Sequence, residues 1–114
     1  MLKRNAKGIV GRIDAGERVL TSVVHLAEIA NILEENLRAA ESVRVERALV
    51  MNENIDVARV SREDCVAAMG VAEDSRVGMN DAIACIVMKG RGIVEIYSFD
   101  KDFDTFRDVK RIAE

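Results

Sequence analysis

The chain has 114 residues, 49% of them hydrophobic and 32% charged, with a formal charge of −3 and a pI near 5.3. That length supports one core and a single domain over residues 1–114, and the composition is that of a folded chain and not a disordered one. No basic block offers nonspecific phosphate binding and neither a membrane span nor a leader is evident, so a cytoplasmic location with no membrane is expected.

Leu2 to Ala15 predicts a helix, with Leu2, Ala6, Ile9, Val10 and Ile13 on one face and Gly16 as its stop. Arg18 to Thr21 reads as a short strand, and Thr21 or Ser22 caps the helix that follows, to about Asn36. At 100° per residue the core stripe of that helix is Val23, Leu26, Ala27, Ala30, Leu33 and Leu37. Glu28 falls on the opposite side, near Asn31 and Glu35, and by itself reads as a solvated charge. A third helix spans Ala39 to Met51, with Val43, Ala48, Leu49 and Val50 set against Arg44, Glu46 and Arg47. Asn52-Glu53-Asn54 turns the chain into Ile55–Val60, whose period of two marks a strand with one exposed face. Ser61-Arg62-Glu63-Asp64 opens a capped helix that carries Cys65, Val66, Ala68, Met69 and Val71, and Asp74 to Val77 is the loop after it.

Gly78 to Phe106 is the most informative stretch. Met79 to Met88 is apolar on nearly every side, which predicts a buried helix, with Asn80 and Asp81 in its first turn where acids suit the exposed N–H groups. Lys89-Gly90-Arg91-Gly92 ends it with cation and glycine chemistry. Ile93 to Phe99 reads as a mostly buried strand that delivers Asp100, Asp102 and Asp104. Lys101 to Arg107 predicts a short helix capped by Asp100, and Val109 to Ile112 a last small strand. Strands alternate with helices, so the fold class is α/β with a parallel sheet, although the chain opens on a helix with no strand before it.

Asp100-Lys101-Asp102-Phe103-Asp104 has the spacing of a calcium loop, but Thr105 and Arg111 stand where such a loop needs glycine and glutamate. The lone His25 leaves His-ligated zinc or Ser/His/Asp catalysis almost nothing to work with, and Cys65 and Cys85 read as small buried thiols. In a parallel sheet, strand C-termini and the N-termini of the helices that follow gather at one edge, where ligands bind. Glu28 follows one strand, Asp100 ends another, and Asp81 opens a helix of its own. Several carboxylates in one cleft need a divalent cation, and their hard oxygens suit Mg²⁺ or Mn²⁺.

The pieces Val19-Leu20-Thr21-Ser22 running into the Glu28 helix, Asn80-Asp81-Ala82-Ile83-Ala84, and Ile96-Tyr97-Ser98-Phe99-Asp100-Lys101-Asp102-Phe103 carry a resemblance. The chain resembles the PIN domain, the metal-dependent nuclease fold used by VapC-like toxins. The resemblance implies a three-layer α/β fold and a ribonuclease that hydrolyses RNA phosphodiesters with Mg²⁺ or Mn²⁺. It implies Glu28, Asp81 and Asp100 as catalytic, metal-holding acids, Asp104 as a fourth metal ligand, and Ser98 and Asn80 in support. It also implies an RNA substrate and an antitoxin partner; the family's central first strand is absent, and the two strand edges this would leave unpaired make a homo-oligomer the expectation. PIN domains begin with a strand ending in an aspartate, commonly Asp-x-Asn, and this sequence starts after that point. The expectation is therefore an N-terminally truncated PIN-like domain, through a misplaced start, trimming or degeneracy, with little or no activity as given. The alternative is a noncatalytic module that dimerises or binds an antitoxin.

Overall fold

The computed structural model describes residues 11–97, 106 and 109–112, so most of the helix expected over Leu2–Ala15 lies outside the described residues. Residues 11–14 are helical (α1). Gly16 closes it with φ +116°, a conformation that suits glycine, and donates its N–H to the Ile13 carbonyl at 3.0 Å. The chain divides into two compact units, Ile13–Arg59 and Met1–Arg12 with Val60–Glu114.

In the first unit β1 (Val19–Ser22) leads directly into α2 (Val23–Asn36), and two residues separate α2 from α3 (Ala39–Met51), which feeds β2 (Ile55–Ala58). β1 and β2 are parallel, with Val19 opposite Ile55 and Ser22 opposite Ala58. Asn54 fastens the start of this pair: its carbonyl accepts from Val19 N at 2.9 Å, and its Nδ2 donates to the Ile13 carbonyl at 2.8 Å. The alternation read in Ile55–Val60 holds through Val57, with Asp56 exposed between half-buried neighbours, and breaks at Ala58, which shares the face of Asp56 yet is 4% exposed.

The inward faces of both helices of this unit match the apolar periodicity only in part. On α2, Val24, Leu26, Glu28, Ala30 and Leu33 are half-buried, whereas Val23, Ala27 and Leu37 of the expected core stripe are exposed. Glu28 is thus not on a solvated face. On α3 the covered positions are Ser42, Glu46 and Leu49, one turn apart, while Val43, Ala48 and Val50 are exposed. The physical reason is the Leu37–Arg38 connection: two residues leave little freedom to rotate α3 about its axis, and the small Ser42 is what comes to lie inside. Ile32, Val43, Val45, Val50 and Met51 are left 38–74% exposed as a result.

The second unit is built on α4 (Arg62–Ser75), α5 (Met79–Gly90), β3 (Glu95–Tyr97) and β4 (Lys110–Ile112). The expected capping box opens α4: Ser61 Oγ accepts from Asp64 N at 3.0 Å, and Asp64 Oδ2 accepts from Ser61 N at 2.9 Å. The helix extends to Ser75, past the loop start expected at Asp74, because a left-handed residue stops it: Arg76 has φ 55° and Val77 N reaches back to the Ala72 carbonyl at 3.2 Å. Glycine is the usual residue there, since a side chain at positive φ costs about 1–2 kcal/mol. Arg76→Gly is therefore expected to raise stability by about 0.5–1 kcal/mol after the entropic cost of glycine, read as a higher urea midpoint at unchanged slope.

Helix α5 is the buried one, as its composition predicts. Ala82, Ile83, Ala84, Cys85 and Met88 are all buried. Gly92 ends it in a Schellman arrangement, with φ 66°, Gly92 N donating to the Lys89 carbonyl at 3.2 Å and Ile93 N to the Met88 carbonyl at 2.9 Å. Ala84 and Cys85 form the centre of a small core covered by Ile96, Phe106 and Val109. Ile93 and Val94 are taken up by this turn, so the described strand starts later than expected, at Glu95. β3 and β4 are parallel, with Glu95 opposite Lys110 and Tyr97 opposite Ile112. Of the helix expected over Lys101–Arg107, Phe106 alone is described, and it is not helical. The fold is α/β with parallel strand pairs, and among the described residues β1–β2 and β3–β4 are separate two-stranded sheets.

Candidate active site

Ser22 is both the last residue of β1 and the N-cap of α2. It is 1% exposed, and its Oγ accepts from His25 N at 3.2 Å and lies 2.6 Å from His25 Nδ1. A hydroxyl bonded to Nδ1 fixes the imidazole one turn before Glu28, on the same side of the helix. Glu28 follows in the second turn, about 9 Å along the axis from the cap at 1.5 Å per residue. The cap is legible in the sequence. Its hold on the only histidine is not, because a Ser-x-x-His spacing is common and becomes informative only once Ser22 is seen to be buried. Ser22→Ala is expected to cost about 1 kcal/mol, the usual loss for a removed cap, in chemical denaturation.

Asp81 is the acid in the first turn of α5, where the Gly78 cap supplies no side-chain bond. It is half-buried, one turn before the buried Cys85, and Asn80 beside it is exposed. Burial pushes the Cys85 thiol up to about 11; the Lys89 ammonium opposes this shift and the Asp81 carboxylate adds to it. At neutral pH Cys85 is a protonated, inert thiol, while Cys65 is half-buried and also free.

Ser98, Asp100 and Asp104 lie outside the described residues, just beyond the described end of β3. Glu28 belongs to one unit and Asp81 to the other. Among the described residues no group of three or more His, Cys, Asp or Glu side chains could hold a metal ion. The donor chemistry nonetheless fits a hard divalent cation, because Glu28 and Asp81 offer carboxylate oxygens. A gap of about 550 Å³ lies beside α4, α5 and β3, lined by Val71, Ser75, Lys89, Ile93, Phe106 and Val109 among others. Among the described residues its lining is mostly apolar and includes no acid. No helix among the described residues is long and apolar enough to cross a membrane.

The PIN domain family model matches residues 2–109. Among solved structures, the chain is similar to the Mycobacterium tuberculosis toxin VapC20, which cleaves the sarcin-ricin loop. The TM-score is 0.70 at 26% identity, over 90% of this chain and 84% of that one. No curated protein matches the chain.

Proposed function

Since this chain belongs to the PIN domain family, we propose that it is the catalytic fold of a VapC-like toxin, a ribonuclease that hydrolyses RNA phosphodiesters with Mg²⁺ or Mn²⁺. The observation that carries the reading is the match over residues 2–109, together with the likeness to a toxin that cleaves RNA. A divalent cation, when bound, supplies a water nucleophile at neutral pH and neutralises charge on the leaving oxygen. Glu28, Asp81 and Asp100 would hold it through carboxylate oxygens, with Asp104 as a fourth ligand. Ser98 and Asn80 would support those acids. Half-burial of Glu28 and Asp81 supports this assignment, because partial shielding from water strengthens their attraction for a cation.

The partners that go with this reading are RNA, an antitoxin protein and a second copy of the chain. The exposed Val43, Val45, Val50 and Met51 on α3 favour a self-association surface. Light scattering at micromolar concentration is expected to give about twice the 12.6 kDa chain mass. A concentration-independent monomer would remove the homodimer.

A noncatalytic interaction module is the competing reading. A fluorescent RNA hairpin separates the two: on the ribonuclease reading any cleavage, weak as it is expected to be, needs Mn²⁺ and stops with chelator. Cleavage indifferent to chelator, or none at any Mn²⁺ concentration by a folded chain, would favour the module.

A further inference from the structure

Helix α3 turns two oxygen atoms inward that nothing in the described structure satisfies. Ser42 is 0% exposed and its Oγ has no hydrogen-bond partner. Glu46 Oε2, one turn later on the same face, is also buried and unpartnered. From α2, Glu34 meets the Glu46 carboxyl in a side-chain hydrogen bond. Burial first, then this bond and the charge of Glu34, hold the Glu46 carboxyl above the usual glutamate range.

A buried oxygen without a partner is rare in a folded protein, and two on adjacent turns of one face call for a common explanation. The donor set is all oxygen, two carboxylates and a hydroxyl, with no nitrogen or sulfur. That is the ligand chemistry of Ca²⁺, Mg²⁺ and Mn²⁺. We infer that Glu34, Ser42 and Glu46 form a second site, on the α2–α3 hairpin, for a small hard divalent cation whose shell water completes. Bound between the two carboxylates, the cation offsets their mutual repulsion and clamps α2 against α3. Glu28 lies on the same helix as Glu34, so loading this site stiffens the element that carries Glu28. The inference uses none of the acids proposed for hydrolysis and does not depend on the nuclease reading.

The test is thermal unfolding of the full chain at pH 7.5 with MnCl₂ or CaCl₂, paired with Mn²⁺ stoichiometry from water-proton relaxation. At ten times the dissociation constant, the melting temperature is expected to rise by about 5 °C. Asp81→Asn keeps that rise. Glu46→Gln and Ser42→Ala lose most of it, and Glu46→Gln binds one Mn²⁺ fewer than the parent. The conservative Glu34→Gln, at an exposed position, gives the same loss without disturbing the packing. Equal stoichiometry in the parent and Glu46→Gln would overturn the site. So would a melting temperature that rises as pH falls toward the glutamate range but ignores Mn²⁺, which would assign the cluster to a shared proton alone.

Discussion

Asp81→Asn is expected to abolish the weak Mn²⁺-dependent RNA cleavage of the parent while moving stability by less than about 1 kcal/mol. The two effects separate because they arise from different properties of one carboxylate. Asparagine keeps the size and shape of the side chain in the first turn of α5 but removes its charge. What the helix loses is the interaction of that charge with its N-terminal dipole, about 0.3–1 kcal/mol. A metal site loses far more, since a cation is worth several kcal/mol to the reaction and each 1.36 kcal/mol is a factor of ten in rate. Cleavage and chemical denaturation on the same preparation decide it. Cleavage retained in Asp81→Asn would take Asp81 out of the site, and a collapse of stability would assign it a structural role.

The opposite separation holds at Ile83. Ile83→Ala is expected to cost about 2–4 kcal/mol, because the residue is 4% exposed at the centre of the buried helix and the cavity left behind adds to the lost transfer energy. For a chain of this size that is a fall of roughly 10–15 °C in melting temperature. Against a total stability of about 5–15 kcal/mol, the folded fraction remains high at room temperature. Ile32→Ala, at a residue 61% exposed, is the control and is expected to cost less than about 1 kcal/mol. Equal losses at the two positions would mean that α5 is not the core the burial pattern makes it.

Local signals in the sequence locate the elements well. The Ser61–Asp64 capping box, the Gly16 stop and the Lys89–Gly92 terminus each depend on a few neighbouring residues, and each falls where those residues place it. Rotation of a helix about its axis is different, because it depends on what the helix meets. Periodicity on α3 selects Val43 and Val50, yet Ser42 and Glu46 face inward, a consequence of the two-residue link to α2. The same limit applies to Glu28, which its own helix assigns to solvent and which the fold half-buries. Asp81 is the more legible acid, since a carboxylate opening an all-round apolar helix stands out without any partner. Asp100 is legible only by its place after a strand, and that place lies outside the described residues.

Convergence of Glu28, Asp81 and Asp100 on one cation is the central claim, and paramagnetic broadening by Mn²⁺ tests it most directly. Substoichiometric Mn²⁺ broadens amide resonances within roughly a nanometre or two of the ion. The expected result is simultaneous loss of the amide signals around residues 28, 81 and 100 in the parent, with all three sets restored together in Asp100→Asn. Both chains carry Glu46→Gln in this measurement, because an ion at Glu34 sits about 9 Å along α2 from residue 28 and would broaden its amide too. Broadening around one of the three acids alone, or broadening that persists at all three in Asp100→Asn, would contradict a shared site.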